Sequence, residues 1–393
     1  MLTSSERIRL LFLHPTFTFG GAERTAVNIV NGLGKDTFSV TLVTSKDIAS
    51  RFPQDRLERI VPIEDLGIHV WYTEKPFWDI LKDSRKIGGL LRETDPDLAL
   101  GMMYYASALL CLGRLFSRRR TRVIASPRGP LMPYLEMFHP TNNRGRRGVK
   151  MSFHILCRMS HHMVVASQGL RAECVNVFGA ENDKISVINN GMDLGMVRSM
   201  AKEDPGLDIP DGYSVISTAG RLAPEKNLPL LFRAMSEARK AHQVKLIVIG
   251  DGPERRRLED LAAEVGMKDD VYFVGFQENP FKFLRISDFY IHTCLLEGFG
   301  NSMVEALACG LPVIATDCPF GPREIVEDGY NGKLVNMHDG EALRKAIVFF
   351  IENPEERERS SMNALASAER FGVERMVSGY RDMFIKVAER PLV

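Results

Sequence analysis

Two carboxylates on either side of a glycine-containing loop form the pattern in this sequence with the clearest chemical use. Glu297 and Glu305 flank the run 298–304, which contains two glycines. Carboxylates together with backbone N–H groups can bind the adjacent hydroxyls of a polyol such as a sugar. The pattern predicts a loop that leads into a helix, with Asn301 or Ser302 as the N-cap. The alternative is a loop acid and a helix acid with no shared partner.

Two cations follow a strand-like apolar run at 214–219. Arg221 and Lys226 lie in the segment directly after that run. A guanidinium fork and an ammonium point charge can together bind a phosphate. Cations in an exposed loop are ordinarily only solvated, so a solvated loop is the alternative.

Gly20 and Gly21 precede a helical pattern near 23–32. Glycine lets backbone N–H groups approach an anion closely, and the amino end of a helix adds partial positive charge. A tight turn without a ligand is the alternative. The pair is not the dinucleotide-binding G-x-G-x-x-G, and the chain has no P-loop Gly-Lys-Ser/Thr. Both of these common nucleotide-binding folds therefore lose support.

Apolar strand-like runs alternate with helical patterns along all 393 residues, a length too great for one compact core. Repeated alternation of this kind predicts an α/β fold of two Rossmann-like domains with parallel sheets. The irregular, polar stretch 199–211 is interpreted as the interdomain linker. The predicted parts are a first domain at 1–198, a second domain at 199–372 and a final helical segment at 373–393. The expected strands are 9–13, 39–44, 98–102, 122–125, 163–166, 185–188, 214–219, 244–250, 271–274, 288–292, 312–316 and 333–335.

Composition and charge exclude several classes of protein. A hydrophobic content of 45% and a charged content of 26% are ordinary globular values, which disfavour disorder and coiled coil. The six cysteines include no C-x-x-C pair, so we expect reduced thiols rather than a disulfide framework or a zinc site. Residues 1–13 are not recognised as a signal peptide. The uncharged stretch 98–113 is shorter than a membrane span and is predicted to be a strand followed by a helix.

An overall net charge of +1 conceals a basic segment at 114–158. It holds eleven basic residues and only one acid, Glu136, for a net charge of about +10. Such asymmetry predicts contact with an anionic membrane surface, a diphosphate-bearing substrate or RNA. RNA is the least favoured because aromatic residues do not alternate with the arginines as stacking platforms would. A core helix with a solvated basic side, carrying Lys150, His154 and Arg158, is the alternative. The basic residues are Arg114, Arg118, Arg119, Arg120, Arg122, Arg128, Arg144, Arg146, Arg147, Lys150 and Arg158.

Four ordered motifs resemble those of the retaining family-4 glycosyltransferases of bacterial polysaccharide and lipid-linked glycan synthesis. Glu297 to Glu305 is similar to their E-x7-E motif, and 220–227 looks like their donor-phosphate motif. The Gly20-Gly21 pair resembles their amino-terminal glycine loop, and 187–193 resembles the segment that ends their first domain. The likeness covers essentially the whole chain. It implies the GT-B fold, in which two Rossmann-like domains face each other across a cleft.

The resemblance also implies a role for each residue of the donor motifs. Arg221 and Lys226 would neutralise the leaving nucleotide diphosphate. Glu305 would bind the ribose hydroxyls. Glu297 would bind the hydroxyls of the donor sugar and, with Arg221 and Lys226, is a candidate catalytic residue. The backbone N–H groups that would assist Glu297 are those of Phe299, Gly300 and Asn301.

In the amino-terminal half, the resemblance implies that Gly20 and Gly21 approach the β-phosphate and the acceptor. Arg128 stands where many members carry a histidine, and contact with the donor sugar or with an acceptor phosphate is expected of it. His14, at the end of the first strand, is expected to serve packing. The family implies no metal and no cofactor beyond the nucleotide sugar. The segment 318–325 resembles a subgroup that often uses UDP-activated N-acetylhexosamines or hexoses, and the helix 373–388 resembles one that crosses back onto the first domain.

The expected activity is transfer of a hexose or N-acetylhexosamine from UDP, with retention, to a hydroxyl of a lipid-linked or polysaccharide acceptor. The expected location is the cytoplasmic face of the cell membrane, peripherally bound through the basic segment, with no nucleic-acid partner. Two alternatives remain open. A GT-B sugar-nucleotide epimerase needs no acceptor, and a non-catalytic subunit binds the sugar nucleotide without transferring the sugar.

Overall fold

The computed structural model describes residues 7–15, 20–68 and 77–390, without the side chains of residues 77 and 144. Residues 1–6, part of the stretch not recognised as a signal peptide, lie outside this range. The chain divides into a first unit, Met1–Gly191 with Val373–Val393, and a second unit, Met192–Gly372. The boundary predicted after residue 198 therefore falls within a helix of the second unit, Leu194–Met200.

The first unit is built on a seven-stranded sheet in the order β3-β2-β1-β4-β5-β6-β7. Every described strand pair in it is parallel. Most strand residues are buried, which explains why the strands read as continuous apolar runs in the sequence. The strands are β1 (Ile8–His14), β2 (Phe38–Thr44), β3 (Arg59–Pro62), β4 (Leu98–Met102), β5 (Arg122–Ser126), β6 (His162–Val165) and β7 (Ile185–Val187).

The second unit is built on a six-stranded parallel sheet in the order β10-β9-β8-β11-β12-β13. The strand order reverses between β8 and β11, and such a reversal opens a crevice at the carboxyl ends of the strands. The strands are β8 (Ser214–Ala219), β9 (Val244–Ile249), β10 (Val271–Gly275), β11 (Phe289–His292), β12 (Val313–Thr316) and β13 (Gly332–Val335).

Helices connect the parallel strands, as crossover connections require. The helices are α1 (Gly21–Gly32), α2 (Lys46–Ala49), α3 (Phe77–Thr94), α4 (Tyr104–Ser117), α5 (Leu131–Phe138), α6 (Asn143–Met159), α7 (Gln168–Asn176), α8 (Leu194–Met200), α9 (Leu228–Arg239), α10 (Arg255–Glu264), α11 (Phe281–Arg285), α12 (Asn301–Ala308), α13 (Pro322–Ile325), α14 (Gly340–Glu352), α15 (Pro354–Ala368) and α16 (Val373–Glu389).

Helix α16 packs into the core of the first unit although it comes last in the chain. Tyr380 and Phe384 are fully buried there, and the Phe384 ring meets the Phe38 ring of β2 edge-on at 5.9 Å. Gly32 of α1 has no room for a side chain, because an added Cβ would lie 2.4 Å from a methyl of Val377. Close packing of this kind ties α16 to α1 and to the sheet.

The α/β fold of two parallel-sheet domains is confirmed, and each of the twelve expected strands is present within a residue or two of its predicted bounds. The uncharged stretch 98–113 is strand β4 followed by helix α4, as expected. Within the described residues, no helix has the length and apolar composition that a membrane crossing requires. Strand β3 was not predicted; it is a four-residue edge strand with an exposed arginine and a final proline, which makes a weak sequence signal.

Candidate active site

A buried ion pair forms the centre of the site in the second unit. Lys226 Nζ lies 2.7 Å from Glu297 Oε2, and only about a fifth of each side chain is exposed, 20% and 18%. Both residues follow neighbouring strands at the same edge of the sheet, β8 and β11, which pair at Ile216 with Phe289. The sheet therefore brings a cation from one loop against a carboxylate from another.

Hydrogen bonds between the two loops hold this pair in place. Thr293 Oγ1 donates to the Lys226 carbonyl at 2.8 Å, and the Leu295 N–H donates to the Glu225 carbonyl at 2.8 Å. Lys226 ends a short 3₁₀ turn, after which Asn227 adopts a left-handed conformation with φ of 48° and begins α9. Asparagine tolerates that conformation better than most residues.

Two further side chains converge on the same carboxylate oxygen. His292 Nε2 lies 3.2 Å from Glu297 Oε2, and Cys294 Sγ lies 3.6 Å from it. The His292 ring nitrogen lies off the ideal hydrogen-bond direction, and it has no aligned partner among the described residues. Oε2 of Glu297 is thus surrounded by three potential donors.

The electrostatics of this cluster keep Glu297 ionised. Burial raises the pKa of Glu297, but the Lys226 ammonium and His292 outweigh it and hold the pKa well below its ordinary range. Burial lowers the pKa of Lys226, yet neighbouring Cys294 and Glu297 raise it above its ordinary value. Burial lowers the pKa of His292 and raises that of Cys294. The cluster at neutral pH is therefore an ammonium–carboxylate pair beside a neutral imidazole and a neutral thiol.

The loop after Glu297 is held by packing rather than by a side-chain cap. Glu297 Oε1 accepts from the Gly298 N–H at 3.2 Å. The Phe299 ring is buried and meets the Phe371 ring edge-on at 5.6 Å. The expected N-cap, Asn301 or Ser302, was wrong: the N-cap of α12 is Gly300, with φ of 108°. This conformation suits glycine, and it turns the chain into α12 without a capping side chain.

Glu305 is buried in α12 at 8% exposure and belongs to the same electrostatic environment. Burial raises the pKa of Tyr290 to about 12, and the charge of Glu305 adds to the effect. The Tyr290 hydroxyl lies 3.0 Å from Ser302 Oγ and 3.1 Å from the carbonyl of Ala219, the last residue of β8. Tyr290 therefore links the end of β8 to the helix that carries Glu305.

Arg221 is exposed, with 65% of its side chain accessible, unlike the buried Lys226 and Glu297. It pairs with Glu225 at 2.7 Å rather than with Glu297. A small cavity is lined by Arg221, Lys226 and His292, together with Thr218, Ala219, Gly220, Leu222, Leu228, Val248, Ile249 and Thr293. The structure thus brings both predicted cations to one cavity at the carboxyl ends of β8 and β9.

In the first unit, Gly20 and Gly21 lie at the amino end of α1. The Gly20 N–H donates to Glu23 Oε2 at 2.9 Å, so the helix caps itself with its own first turn. His14 is fully buried at the end of β1, with Nε2 3.8 Å from Glu23 Oε1. Burial, and secondarily the charge of Arg128, lower the pKa of His14 to about 3. Its ring nitrogens have no hydrogen-bond partner among the described residues.

Arg128 is held by two side chains from distant parts of the first unit. Its guanidinium donates to the Tyr380 hydroxyl at 3.3 Å and to Asn190 Oδ1. These contacts link the end of β5 to the segment after β7 and to α16. Arg128 therefore has a structural anchor, in addition to the substrate contact that the sequence predicts.

The basic segment is distributed over separate elements rather than forming one patch. Arg118, Arg119 and Arg120 are exposed between α4 and the amino end of β5, whereas Arg128 follows the carboxyl end of that strand. Most of the remaining basic residues lie on α6. The expected basic face of α6 is only partly solvated, because His154 Nδ1 lies 2.6 Å from the Phe178 carbonyl.

One set of three potential metal ligands occurs in the part of the chain that the structure describes. His292, Cys294 and Glu297 offer ligand atoms within 4.8 Å of one another. The Lys226 ammonium beside Glu297 would repel a cation there. The sequence also contains one Asp-x-Asp, Asp95-Pro96-Asp97, in the first unit, and both its carboxylates pair with Arg9.

His292, Cys294 and Tyr290 were not predicted as site residues. His292 and Tyr290 were predicted only as part of a strand, and Cys294 only as a reduced thiol. The available signal was their position: polar side chains at or just beyond the carboxyl end of a buried strand lie where ligands bind in parallel sheets.

Two family models match the chain in succession. "Glycosyltransferase Family 4" matches residues 19–195 and "Glycosyl transferases group 1" matches residues 199–366. The chain is 26% identical over 356 residues to an N-acetylgalactosamine-N,N'-diacetylbacillosaminyl-diphospho-undecaprenol 4-alpha-N-acetylgalactosaminyltransferase of Campylobacter jejuni. That alignment covers 90% of this chain and 92% of the relative.

Solved structures of the same architecture cover almost the whole chain. HepE of Anabaena in complex with UDP superposes with a TM-score of 0.77 at 23% identity, over 96% of this chain and 100% of that one. Sucrose-phosphate synthase of Thermosynechococcus elongatus superposes with a TM-score of 0.81 at 18% identity, over 97% of this chain and 99% of that one. At these identities the likeness shows the fold, which is GT-B. Because glycosyltransferase models match successive halves and a glycosyltransferase aligns along nine-tenths of the sequence, this chain belongs to the family-4 glycosyltransferases, which act on sugar-nucleotide donors.

Proposed function

We propose that this enzyme transfers a hexose or N-acetylhexosamine from UDP, with retention of configuration, to a hydroxyl of a lipid-linked or polysaccharide acceptor. The observation that carries the proposal is the buried Lys226–Glu297 pair at the carboxyl ends of β8 and β11. The carboxylate is ionised and can accept hydrogen bonds from sugar hydroxyls. The ammonium beside it can stabilise a diphosphate.

Departure of a nucleotide diphosphate concentrates negative charge on the leaving group. Preorganised cations and backbone N–H groups stabilise such charge without reorganisation during the reaction. In the proposal Arg221 and Lys226 meet the diphosphate, Glu305 binds the ribose hydroxyls, and the N–H groups of 299–301 assist Glu297. No metal or cofactor takes part. The first unit serves the acceptor, Gly20 and Gly21 also approach the β-phosphate, and Arg128 contacts the donor sugar or an acceptor phosphate.

Two similar proteins support the proposed donor and acceptor. The Campylobacter jejuni enzyme is named for α-linked transfer of N-acetylgalactosamine to a diphospho-undecaprenol-linked glycan. Since UDP-hexoses of this type carry an α-linkage, formation of an α-glycoside corresponds to retention. The Anabaena neighbour was crystallised with UDP and with UDP-glucose. These features support UDP as the nucleotide and a lipid diphosphate as the carrier.

Peripheral binding at the cytoplasmic face of the membrane is also part of the proposal. Helix α6 exposes Arg147 and Lys150 beside two exposed apolar side chains, Met151 at 59% and Ile155 at 48%. Basic and apolar groups on one helix suit the surface of an anionic bilayer. Binding to vesicles with and without anionic lipid at low salt tests this. Arg147→Ser/Lys150→Ser should weaken binding, and exposed Arg256→Ser/Lys268→Ser in the second unit should not. Equal binding to neutral and anionic vesicles contradicts the membrane contact.

A thermal-shift panel of UDP-, GDP- and ADP-sugars tests the donor, followed by product analysis with lipid-linked acceptors. We expect stabilisation by a UDP-sugar and an α-linked product. Interconversion of UDP-sugars without an acceptor would instead identify an epimerase. Tight UDP binding without transfer to any acceptor would identify a binding subunit. Lack of stabilisation by every sugar nucleotide would overturn the proposal.

A further inference from the structure

We propose that His292 is a positioning residue, which orients the Glu297 carboxylate toward the donor sugar through its Nε2–H group. The inference deepens the proposed function and rests on it, because Glu297 contacts the sugar only if the donor is a sugar nucleotide. His292 lies outside the runs 220–227 and 297–305, which carry the residues of the proposed function in the second unit.

The geometry around Glu297 divides its two oxygens between different tasks. Oε2 faces Lys226 Nζ at 2.7 Å, His292 Nε2 at 3.2 Å and Cys294 Sγ at 3.6 Å. Oε1 accepts from the N–H of the adjacent Gly298 at 3.2 Å. A carboxylate anchored through Oε2 therefore offers Oε1 to a ligand.

Lys226 alone cannot set the plane of the carboxylate. The terminal torsion of a glutamate side chain is broad, so the carboxylate plane is fixed by its neighbours rather than by its own rotamer. An ammonium group is a compact charge with rotating donors and imposes little direction. An imidazole N–H has one direction. Together with the Gly298 N–H at Oε1, His292 at Oε2 therefore supplies the orientation that the ion pair lacks.

The His292 ring is itself held rigidly. It is 3% exposed, lies on β11 opposite Ala315 of β12, and stacks on the Tyr290 ring at 6.3 Å with an interplanar angle of 24°. Its Nε2 has no aligned hydrogen-bond partner among the described residues and lies nearest to Glu297 Oε2 among its ionic contacts, at 3.2 Å. A neutral ring with the proton on Nε2 presents a dipole to Glu297 and adds no second positive charge beside Lys226. The contact of His292 Nε2 with Glu297 Oε2 lies off the ideal hydrogen-bond direction, and in the proposal the carboxylate turns into line with Nε2 when it binds the sugar.

Two variants separate positioning from a merely structural role. His292→Leu removes the donor and keeps an apolar side chain in the core, whereas His292→Gln keeps an N–H at a similar reach. Isothermal titration with UDP and with the UDP-sugar is the measurement, because Glu297 is proposed to contact the sugar and not the nucleotide. We expect His292→Leu to weaken UDP-sugar binding about tenfold, as for loss of one hydrogen bond to a charged group. UDP binding should be unchanged, and His292→Gln should recover most of the loss.

Equal losses for UDP and UDP-sugar, or wild-type affinity for both in His292→Leu, would overturn the positioning role. The ring tautomer gives a readout that does not depend on a ligand. In ¹⁵N spectra of histidine-labelled full-length protein, His292 should be neutral at pH 7 with its proton on Nε2, and Glu297→Gln should shift that resonance. A proton on Nδ1 would overturn the inference while leaving the proposed function intact. Failure of wild type to bind any UDP-sugar would instead overturn the proposed function, and the donor-positioning role with it.

Discussion

Lys226 Nζ and Glu297 Oε2 lie 2.7 Å apart although 71 residues separate them in the sequence. The contact exists because β8 and β11 are neighbours in the sheet and both loops leave from its carboxyl edge. It joins two sequence motifs that are far apart in the chain into one buried, charged site.

Loss of either partner of this pair should impair catalysis. We expect Glu297→Gln and Lys226→Ala each to lower turnover by more than about tenfold, or roughly 1.4 kcal/mol of barrier. Removal of a charge aimed at the reacting groups costs transition-state stabilisation. Sugar transfer measured at saturating donor is the assay. Lys240→Ala, which breaks an exposed lysine–glutamate pair of the same 2.7 Å length at the carboxyl end of α9, is the control and should leave turnover unchanged. Wild-type turnover in both site variants would refute the assignment.

Substitutions of Lys226 and Glu297 should be strongly coupled in their effects on the free energy of unfolding. Lys226→Met leaves Glu297 buried without its counter-charge, which should cost about 3 kcal/mol of unfolding free energy. Lys226→Met/Glu297→Gln removes both charges and should recover a large part of that loss. The comparison pair on α9, Lys240→Met with Glu237→Gln, should change by less than about 1 kcal/mol because it is exposed. Urea unfolding of all variants measures the coupling, and additive effects at Lys226 and Glu297 would contradict it.

His14 should make the first unit less stable in mild acid. Its pKa is lowered to about 3, from an ordinary value of about 6.5. Between these values the unfolded chain takes up a proton that the folded chain does not, so stability falls as pH falls. From pH 7 to pH 5 the contribution is roughly 2 kcal/mol.

The variant His14→Gln isolates this effect from that of His161 and His162, whose pKa values are also lowered, to about 4 in each case. The loss of unfolding free energy between pH 7 and pH 5 should be smaller in His14→Gln than in wild type. His338→Gln, at an exposed position, should behave like wild type. An identical pH dependence in all three proteins would show that His14 is protonated in the folded state.

Arg128 combines a structural anchor with a predicted substrate contact, and two variants distinguish them. Tyr380→Phe removes the hydroxyl that accepts from Arg128 and should cost about 1 kcal/mol of stability with little effect on transfer. Arg128→Met should additionally lower kcat/KM for the acceptor by about tenfold or more. The measurements are urea unfolding and acceptor-dependent kinetics. Equal kcat/KM for the acceptor in the two variants would show that Arg128 serves only as a structural anchor.

Gly321 should be needed for the loop that carries Phe299. Its φ is 95°, and an added Cβ would lie 2.0 Å from the Phe299 carbonyl oxygen. Gly329 also has a positive φ, 76°, but an added Cβ would meet nothing within 4 Å. Both substitutions to alanine carry backbone strain of about 1 kcal/mol, and Gly321→Ala adds overpacking of about 1–3 kcal/mol. The midpoint temperature of thermal unfolding of Gly321→Ala should be well below that of Gly329→Ala. Equal midpoint temperatures would contradict the close approach of position 321 to the Phe299 carbonyl oxygen.

Several features could be predicted from local sequence because their causes are local. The strands of both sheets are short, continuous apolar runs, which is typical of parallel strands buried on both faces. Serine is a preferred N-cap residue, and Ser167 Oγ accepts from the Leu170 N–H at the start of α7. The cap of α12 could not be predicted, since Gly300 acts there through its backbone conformation rather than through a side chain.

The amino-acid sequence by itself determined the α/β class, the two parallel sheets and the order of the motifs, because each depends on patterns within a few residues. Only the tertiary structure decided that Lys226, His292 and Cys294 meet at one oxygen of Glu297, and that Arg128 is anchored by α16. Such contacts depend on which strands are neighbours and on how much water is excluded. The order of the strands and the exclusion of water cannot be predicted from local sequence spacing, because both arise only when distant segments pack together.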